Sequence, residues 1–264
     1  MKSTRREILT GIAAATIPFL GRAVPVRSAI GAHGVDNFAF GGKDNPNPYI
    51  TRGLIAMYDG EWNAGWNEHD EHANIWKDLT DHGNDATVSS YATWSDDAII
   101  CDGSHYAAYV DPTGISAVLQ CEFVFDRVLT AHGYLCCLAQ KKLGDSENAA
   151  LLSIAFRSSA LLYENGHLPI DGEYKNTWFP NMPLHGSASA SFRDGKLYIN
   201  NEEVASTSGM ESYTQTTLGE IGGRMARTGN VYKGKIKCMR LYDHVLSQAE
   251  ISHNYAVDKV RFGL

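Results

Sequence analysis

The chain has 264 residues, of which 44% are hydrophobic and 20% charged, as in an ordinary globular protein that builds a packed core. Its formal charge of −7 and the lack of any long run of lysine or arginine argue against nucleic acid as a partner. Five cysteines without a Cys-x-x-Cys spacing indicate neither a zinc site nor a disulfide-stapled scaffold.

The first 32 residues differ in character from the rest of the chain. The pair Arg5-Arg6 precedes a mildly apolar stretch, residues 8–20, and more basic residues follow it. Such a stretch is too short to span a bilayer and is typical of a signal peptide. Residues 1–32 resemble a twin-arginine export signal. This predicts an exported protein (periplasmic, cell-surface or secreted) with no transmembrane span in the mature chain; an uncleaved basic tail is the alternative.

A linker and one β-rich domain follow this segment. Residues 33–48 are rich in Gly, Asn, Pro and Asp, the composition of a linker. The domain is predicted over residues 49–264, with its first strand at 53–58. In residues 119–126 apolar and polar side chains alternate, which is the period of a strand with one buried face. Further strands, separated by turn residues, are predicted over 187–192, 196–200, 203–206, 214–221 and 232–242.

The chain ends in a strand and a short helix. Ser247 and Glu250 have the spacing of a capping box, in which each side chain bonds to the other residue's backbone N–H. Leu246 and Ile251 occupy the two positions of a hydrophobic staple across that cap. We therefore predict one short helix after the last strand.

Several segments, taken in order, resemble the laminin-G-type jelly rolls of the concanavalin A-like lectin/glucanase superfamily. They are 53–60, 76–87, 101–109, 194–201, 221–224 and the C-terminal strand with its capped helix. The resemblance covers most of residues 50–264 and implies an all-β, concanavalin A-like jelly-roll β-sandwich with one short C-terminal helix. It implies less about function, since this architecture carries lectins, adhesion modules, glycosidase-linked binding domains and phage or surface proteins.

One loop concentrates the side chains that a carbohydrate ligand needs. Residues 59–72 hold two tryptophans, two histidines and several carboxylates and amides. Exposed indoles can stack on sugar faces, while carboxylate and amide groups bond to sugar hydroxyls. The predicted ligand contacts are Trp62, Trp66, Asp59, Asn63 and Asn67.

The same loop has the oxygen ligands that Ca²⁺ prefers, and Asp59 and Glu61 would be its first ligands. His69 and His72 suggest a transition metal, but their spacing matches no zinc signature. A plain polar loop, pinned to the edge of the sandwich by its tryptophans, is the alternative to both kinds of site.

Catalysis has little support in the sequence. Jelly-roll glucanases carry Glu-x-Asp-x-Glu on one strand, and Glu68 and Asp70 begin this pattern, but His72 stands at its last position. Glu122 and Asp126 share a strand face, but four residues of strand place them about 13 Å apart. The carboxylates of a glycosidase pair are at most about 9.5 Å apart.

We therefore expect a non-catalytic, lectin-like carbohydrate-binding or surface-recognition module of an exported bacterial protein, with a glycan or glycosylated surface as its partner. The alternatives are a polysaccharide hydrolase or lyase of the same fold, and a structural or assembly module of a cell-surface or phage complex. Two carboxylates converging in a cleft would favour an enzyme, and an apolar patch or extended edge strand would favour an assembly module.

Overall fold

The computed structural model describes residues 47–110, 118–128, 132–141, 150–157, 160–165, 176–179, 183–191, 194–206, 215–223 and 231–264. The predicted export signal, residues 1–32, and residues 33–46 of the predicted linker lie outside these ranges.

The described residues form sixteen strands and one helix. They are β1 (Leu54–Asp59), β2 (Ile75–Trp76), β3 (Ala86–Val88), β4 (Thr93–Ser95), β5 (Ala98–Asp102), β6 (Ala108–Val110), β7 (Gln120–Arg127), β8 (His132–Lys141), β9 (Ala150–Arg157), β10 (Ala160–Asn165), β11 (Asn176–Phe179), β12 (His185–Ser191), β13 (Lys196–Ile199), β14 (Glu202–Ser206), β15 (Gln215–Ile221), β16 (Lys233–Tyr242) and α1 (Gln248–Phe262).

The strands form two antiparallel sheets of eight strands each. The first has the order β14-β13-β12-β7-β16-β5-β4, and the second the order β11-β10-β9-β8-β15-β6-β3-β2. Strand β16 is long enough to pair with two strands along one of its edges. Its first half pairs with β5, and its second half pairs with β1. This all-β sandwich with one C-terminal helix is the fold that the sequence predicts.

The core contains side chains from both sheets. Cys121, Phe123 and Phe125 of β7 belong to it and are fully buried, which confirms the apolar half of the alternation. The alternation predicts one buried face, but the structure buries Gln120 and Glu122 on the other face as well. The reason is α1, which packs over the outer face of the first sheet at this point.

The cap of α1 confirms the predicted capping box. The backbone N–H of Glu250 donates to the hydroxyl of Ser247, and the Glu250 carboxylate accepts the N–H of Ser247 at 2.8 Å. Leu246 and Ile251 on either side of the cap are buried. Gly263, in the left-handed region at φ 69°, ends the helix, a conformation that glycine adopts without strain.

A buried ionic cluster attaches α1 to the first sheet. The guanidinium of Arg240, on β16, donates to Glu122 of β7 at 2.9 Å and to both carboxylate oxygens of Asp258 in α1, at 2.8 and 2.7 Å. All three side chains are at most 2% exposed. The ring of Tyr49 lies 4.0 Å from the guanidinium. Burial raises the pKa of Glu122, and Arg240 opposes this rise, so each buried charge in the cluster depends on its partners.

Candidate functional site

The tryptophan loop, defined as residues 60–74 between β1 and β2, carries most of the predicted ligand contacts. Asp59, the residue before it, is fully buried at the end of β1. Its two carboxylate oxygens accept hydrogen bonds from the terminal nitrogens of Arg261 in α1, at 2.7 and 3.2 Å. Burial raises the pKa of the Asp59 carboxyl, and the Arg261 guanidinium opposes this rise. Asp59 therefore ties the start of the loop to the helix.

Asn63 connects the two halves of the tryptophan loop. Its side-chain carbonyl accepts the backbone N–H of Asp70 at 2.8 Å, and its amide donates to the backbone carbonyl of Asp70 at 2.8 Å. Its own backbone carbonyl accepts the N–H of Lys77 at 2.9 Å. Since Asn63 is fully buried, its donors and acceptors serve the loop itself.

Trp62 and Trp66 are partly exposed and lie together, with ring centroids 5.1 Å apart and planes inclined by 50°. The guanidinium of Arg261 lies 4.0 Å from the ring centroid of Trp62. The indole N–H of Trp66 donates to the backbone carbonyl of Leu79 at 3.1 Å. Both rings are therefore held in a defined orientation while part of each is accessible to solvent.

Trp66 and Asn67 are the two central residues of a tight turn. The backbone N–H of Glu68 donates to the carbonyl of Gly65 at 2.9 Å, and Asn67 between them adopts a positive φ of 62°. Asparagine tolerates this left-handed conformation better than most residues. Asn67 and Glu68 directly follow Trp66 in the chain, and both are exposed.

The predicted calcium ligands are bridged by an arginine instead. Arg261 bonds to Asp59 and also to Glu61, at 2.9 Å. In the residues that the structure describes, no group of three or more His, Cys, Asp or Glu side chains could hold a metal ion. His69 and His72 are both exposed. Because a guanidinium already lies against both carboxylates, this set of donors does not fit Ca²⁺.

Glu122 and Asp126, the carboxylates considered for catalysis from the sequence, bind different partners in the structure. Glu122 is buried beneath α1 and bound to Arg240. Asp126 contacts His185 and lies 3.5 Å from the ammonium of Lys237.

A cavity of about 230 Å³ lies elsewhere, beside the N-terminus of α1. Its described lining includes one carboxylate, that of Asp194, together with Gln120, Tyr198 and Ser247. A single carboxylate does not supply the converging pair that glycoside hydrolysis uses.

The residue that sequence reasoning missed is Arg261. It contacts Asp59, Glu61, Trp62 and the hydroxyl of Tyr49. In the sequence it is only a basic residue in the last turn of a helix, where cations are common. It lies 202 residues from Asp59, and no local pattern links the two.

Known proteins share this architecture. A family model described as the concanavalin A-like lectin/glucanases superfamily, of laminin G type, matches residues 186–252, from β12 to the first turns of α1. Together with the two sheets, this defines the fold as a concanavalin A-like jelly-roll β-sandwich. No curated protein matches the chain.

Solved structures with the same fold include a sialidase. Trypanosoma rangeli sialidase in complex with sialic acid is similar at 14% identity and a TM-score of 0.55, over 79% of this chain and 33% of that chain. A structure of the same sialidase without a named ligand is similar at 15% identity and a TM-score of 0.55, again over 79% of this chain and 33% of that chain. The chain thus spans about a third of the length of these sialidases. A Ruminococcus gnavus sialidase carbohydrate-binding module bound to α2,3-sialyllactose gives 17% identity and a TM-score of 0.40, over 53% of this chain and 83% of that one.

Within the described ranges, no helix has the length and apolar character needed to cross a bilayer.

Proposed function

We propose that the chain is a non-catalytic, lectin-like glycan-binding module of an exported bacterial protein, and that Trp62 and Trp66 form its sugar-stacking surface. The observation that carries the proposal is the partly exposed indole pair, with centroids 5.1 Å apart, on a loop that hydrogen bonds fix at its start, through Asp59, and across its middle, through Asn63. Export is inferred from the twin-arginine-like residues 1–32.

The chemistry of the loop supports sugar binding. An indole offers a wide apolar face that packs against the C–H groups of a pyranose. Arg261 and Leu79 already restrain the two rings, so binding loses less conformational entropy than it would with mobile side chains. The side-chain amide of Asn67, which is exposed in the same turn as Trp66, offers a donor and an acceptor for sugar hydroxyls.

Asp59 and Asn63 have a different role in this proposal from the one that the sequence suggests. Their polar groups are buried and bonded to Arg261 and Asp70. We assign them to positioning the tryptophan loop, while Trp62, Trp66 and Asn67 contact the glycan or glycosylated surface.

The similarity to a sialidase whose structure contains sialic acid is the reason to include sialylated glycans among the ligands tested. We do not propose a second function, hydrolysis or elimination on the same fold, because Glu122 is bound to Arg240 and Asp126 contacts His185.

A glycan and polysaccharide binding screen on the full chain, with Ca²⁺ and with chelator, tests the proposal. We expect at least one reproducible hit whose affinity falls about tenfold or more in Trp62→Ala and in Trp66→Ala and does not depend on Ca²⁺; tenfold corresponds to about 1.4 kcal/mol. Leu184→Ala, a truncation of another exposed apolar side chain at 50% exposure, is the control and should bind normally.

Trp62→Phe keeps an aromatic face and should bind more tightly than Trp62→Ala. If both alanine variants fold and keep full affinity, the assignment of the site is wrong. If no glycan or polysaccharide binds the wild-type chain, the proposed function is wrong, and a protein-binding or assembly role takes its place.

A further inference from the structure

A second exposed aromatic surface lies on two loops outside the tryptophan loop. Tyr91 lies between β3 and β4, and His105 lies between β5 and β6. Their rings are stacked, with centroids 3.5 Å apart and planes 7° from parallel. Tyr91 is 54% exposed. Because His105 covers one face of the phenol ring, a ligand would have to stack on the opposite face.

Hydrogen bonds fix the imidazole in this stack. The hydroxyl of Ser104 contacts a carboxylate oxygen of Asp102 and lies 2.8 Å from Nδ1 of His105. The backbone N–H of Ser104 also donates to Asp102, at 2.7 Å. The hydrogen bonds from Ser104 lower the pKa of the Asp102 carboxyl. Near neutral pH this carboxylate is therefore ionised, and it can accept hydrogen bonds but not donate them.

This arrangement determines where the imidazole carries its proton. A hydroxyl has one proton to donate, and Asp102 accepts it. His105 must then donate its own N–H to the Ser104 oxygen, so the neutral ring is protonated on Nδ1. Asp102 and Ser104 thus orient His105, and His105 in turn supports Tyr91.

We propose that Tyr91, supported by His105, forms a stacking site for one neutral pyranose ring, separate from the tryptophan loop. The open face of a single phenol ring matches the flat C–H face of one sugar ring. The phenol hydroxyl can donate to and accept from sugar hydroxyls at the edge of that face.

Charge sets the class of sugar at this site. Two opposite charges belong to this loop: exposed Asp102, and Lys233, which faces Asp102 across β5 and β16 and whose side chain packs beside Gly103. Asp102 is the one that connects to the stack, through Ser104. We therefore expect its negative charge to disfavour an acidic sugar such as sialic acid and to leave neutral sugars preferred. The proposal deepens the proposed function by adding a site and naming its ligand class. It rests on that function only in taking a glycan as the ligand.

The test is a set of NMR titrations of the full chain, labelled at tyrosine and histidine rings and at tryptophan indoles. The probes are maltopentaose, cellopentaose and 3′-sialyllactose. We expect a neutral oligosaccharide to shift the ring signals of Tyr91 and His105, with 3′-sialyllactose giving a smaller effect at these rings. Tyr91→Ala should weaken that interaction about tenfold, equivalent to about 1.4 kcal/mol, while Tyr91→Phe should retain most of it.

Ser104→Ala provides the readout for the positioning role. In the wild type, the nitrogen shifts of His105 should show a protonated Nδ1 and an unprotonated Nε2. In Ser104→Ala this preference should be lost, and the neutral oligosaccharide should bind more weakly although Tyr91 is present.

The two sites fail separately in this experiment. Shifts confined to the indoles of Trp62 and Trp66 would overturn the Tyr91 site and leave the proposed function in place. Shifts confined to Tyr91 and His105 would support this site and refute the role of the tryptophans. Neutral sugars that shift none of these rings, or an undiminished affinity of Tyr91→Ala, would also overturn the Tyr91 site.

Discussion

Replacing Arg261 with methionine removes the charge that joins α1 to the tryptophan loop while keeping much of the side-chain volume. Asp59 is fully buried and would lose both hydrogen bonds from the guanidinium, at 2.7 and 3.2 Å, keeping the backbone N–H of Glu61 at 3.0 Å. Breaking a buried ion pair from one side typically costs about 3–5 kcal/mol. Loss of the cation–π contact with Trp62, at 4.0 Å, adds roughly 0.5–1 kcal/mol.

We therefore expect Arg261→Met to lower the free energy of unfolding by about 3.5–6 kcal/mol, and the Tm by roughly 7–24 °C for a domain of this size. The assay is urea unfolding followed by tryptophan fluorescence and by circular dichroism. Adding Asp59→Asn to Arg261→Met removes the uncompensated charge and should recover part of the loss, which a double-mutant cycle measures.

Arg52→Met is the matched control. Arg52 also pairs with a carboxylate of α1, Glu250, at 2.8 Å, but its side chain is 70% exposed. Exposed pairs contribute up to about 1 kcal/mol. If Arg261→Met loses no more stability than Arg52→Met, the buried pair between Arg261 and Asp59 does not hold the loop.

Three further predictions concern the same framework. Burial opposes ionisation of Glu250, but the interactions with Ser247 and Arg52 together outweigh it and lower the pKa of its carboxyl. The stabilisation from this carboxylate is present above about pH 4.3 and lost as the pH falls further, so the free energy of unfolding should depend less steeply on acid pH in Glu250→Gln. Burial raises the pKa of the thiols of Cys101 and Cys238, so neither thiol should react with iodoacetamide in the native state, as measured by peptide mapping. Reaction as fast as in urea would contradict this prediction. Asn63→Ala removes both hydrogen bonds to the Asp70 backbone and, at about 0.5–1.5 kcal/mol each, should cost about 1–3 kcal/mol in urea unfolding. A loss under a few tenths of a kcal/mol would contradict the role of Asn63.

The fold follows from short-range patterns, and their limits are visible in β7. Alternation along 119–126 identifies a strand and its core residues, and the spacing of Ser247 and Glu250 identifies a capped helix; the structure confirms both. Alternation cannot show that the polar face is also buried. Gln120 and Glu122 lie inside because α1, more than a hundred residues later in the chain, covers them.

The candidate site shows the same limit more strongly. Composition identifies the tryptophan loop as unusual, and the indoles of Trp62 and Trp66 do lie together at the surface. The sequence does not reveal that Asp59 and Glu61 share Arg261, because the guanidinium arrives from a helix 202 residues away from Asp59. Residue type gives the available chemistry, whereas long-range packing decides which groups remain free for a ligand.

The central claim, that Trp62 and Trp66 contact the glycan, is tested most directly by indole footprinting. The full chain is oxidised briefly with N-bromosuccinimide, with and without a saturating glycan from the screen, and each tryptophan is quantified by peptide mass spectrometry. Trp94, also partly exposed but bonded to Ala73 and packed on Trp76, is the internal control. We predict that the glycan protects Trp62 and Trp66 and leaves the oxidation of Trp94 unchanged. Equal oxidation of Trp62 and Trp66 with and without bound glycan would contradict the claim.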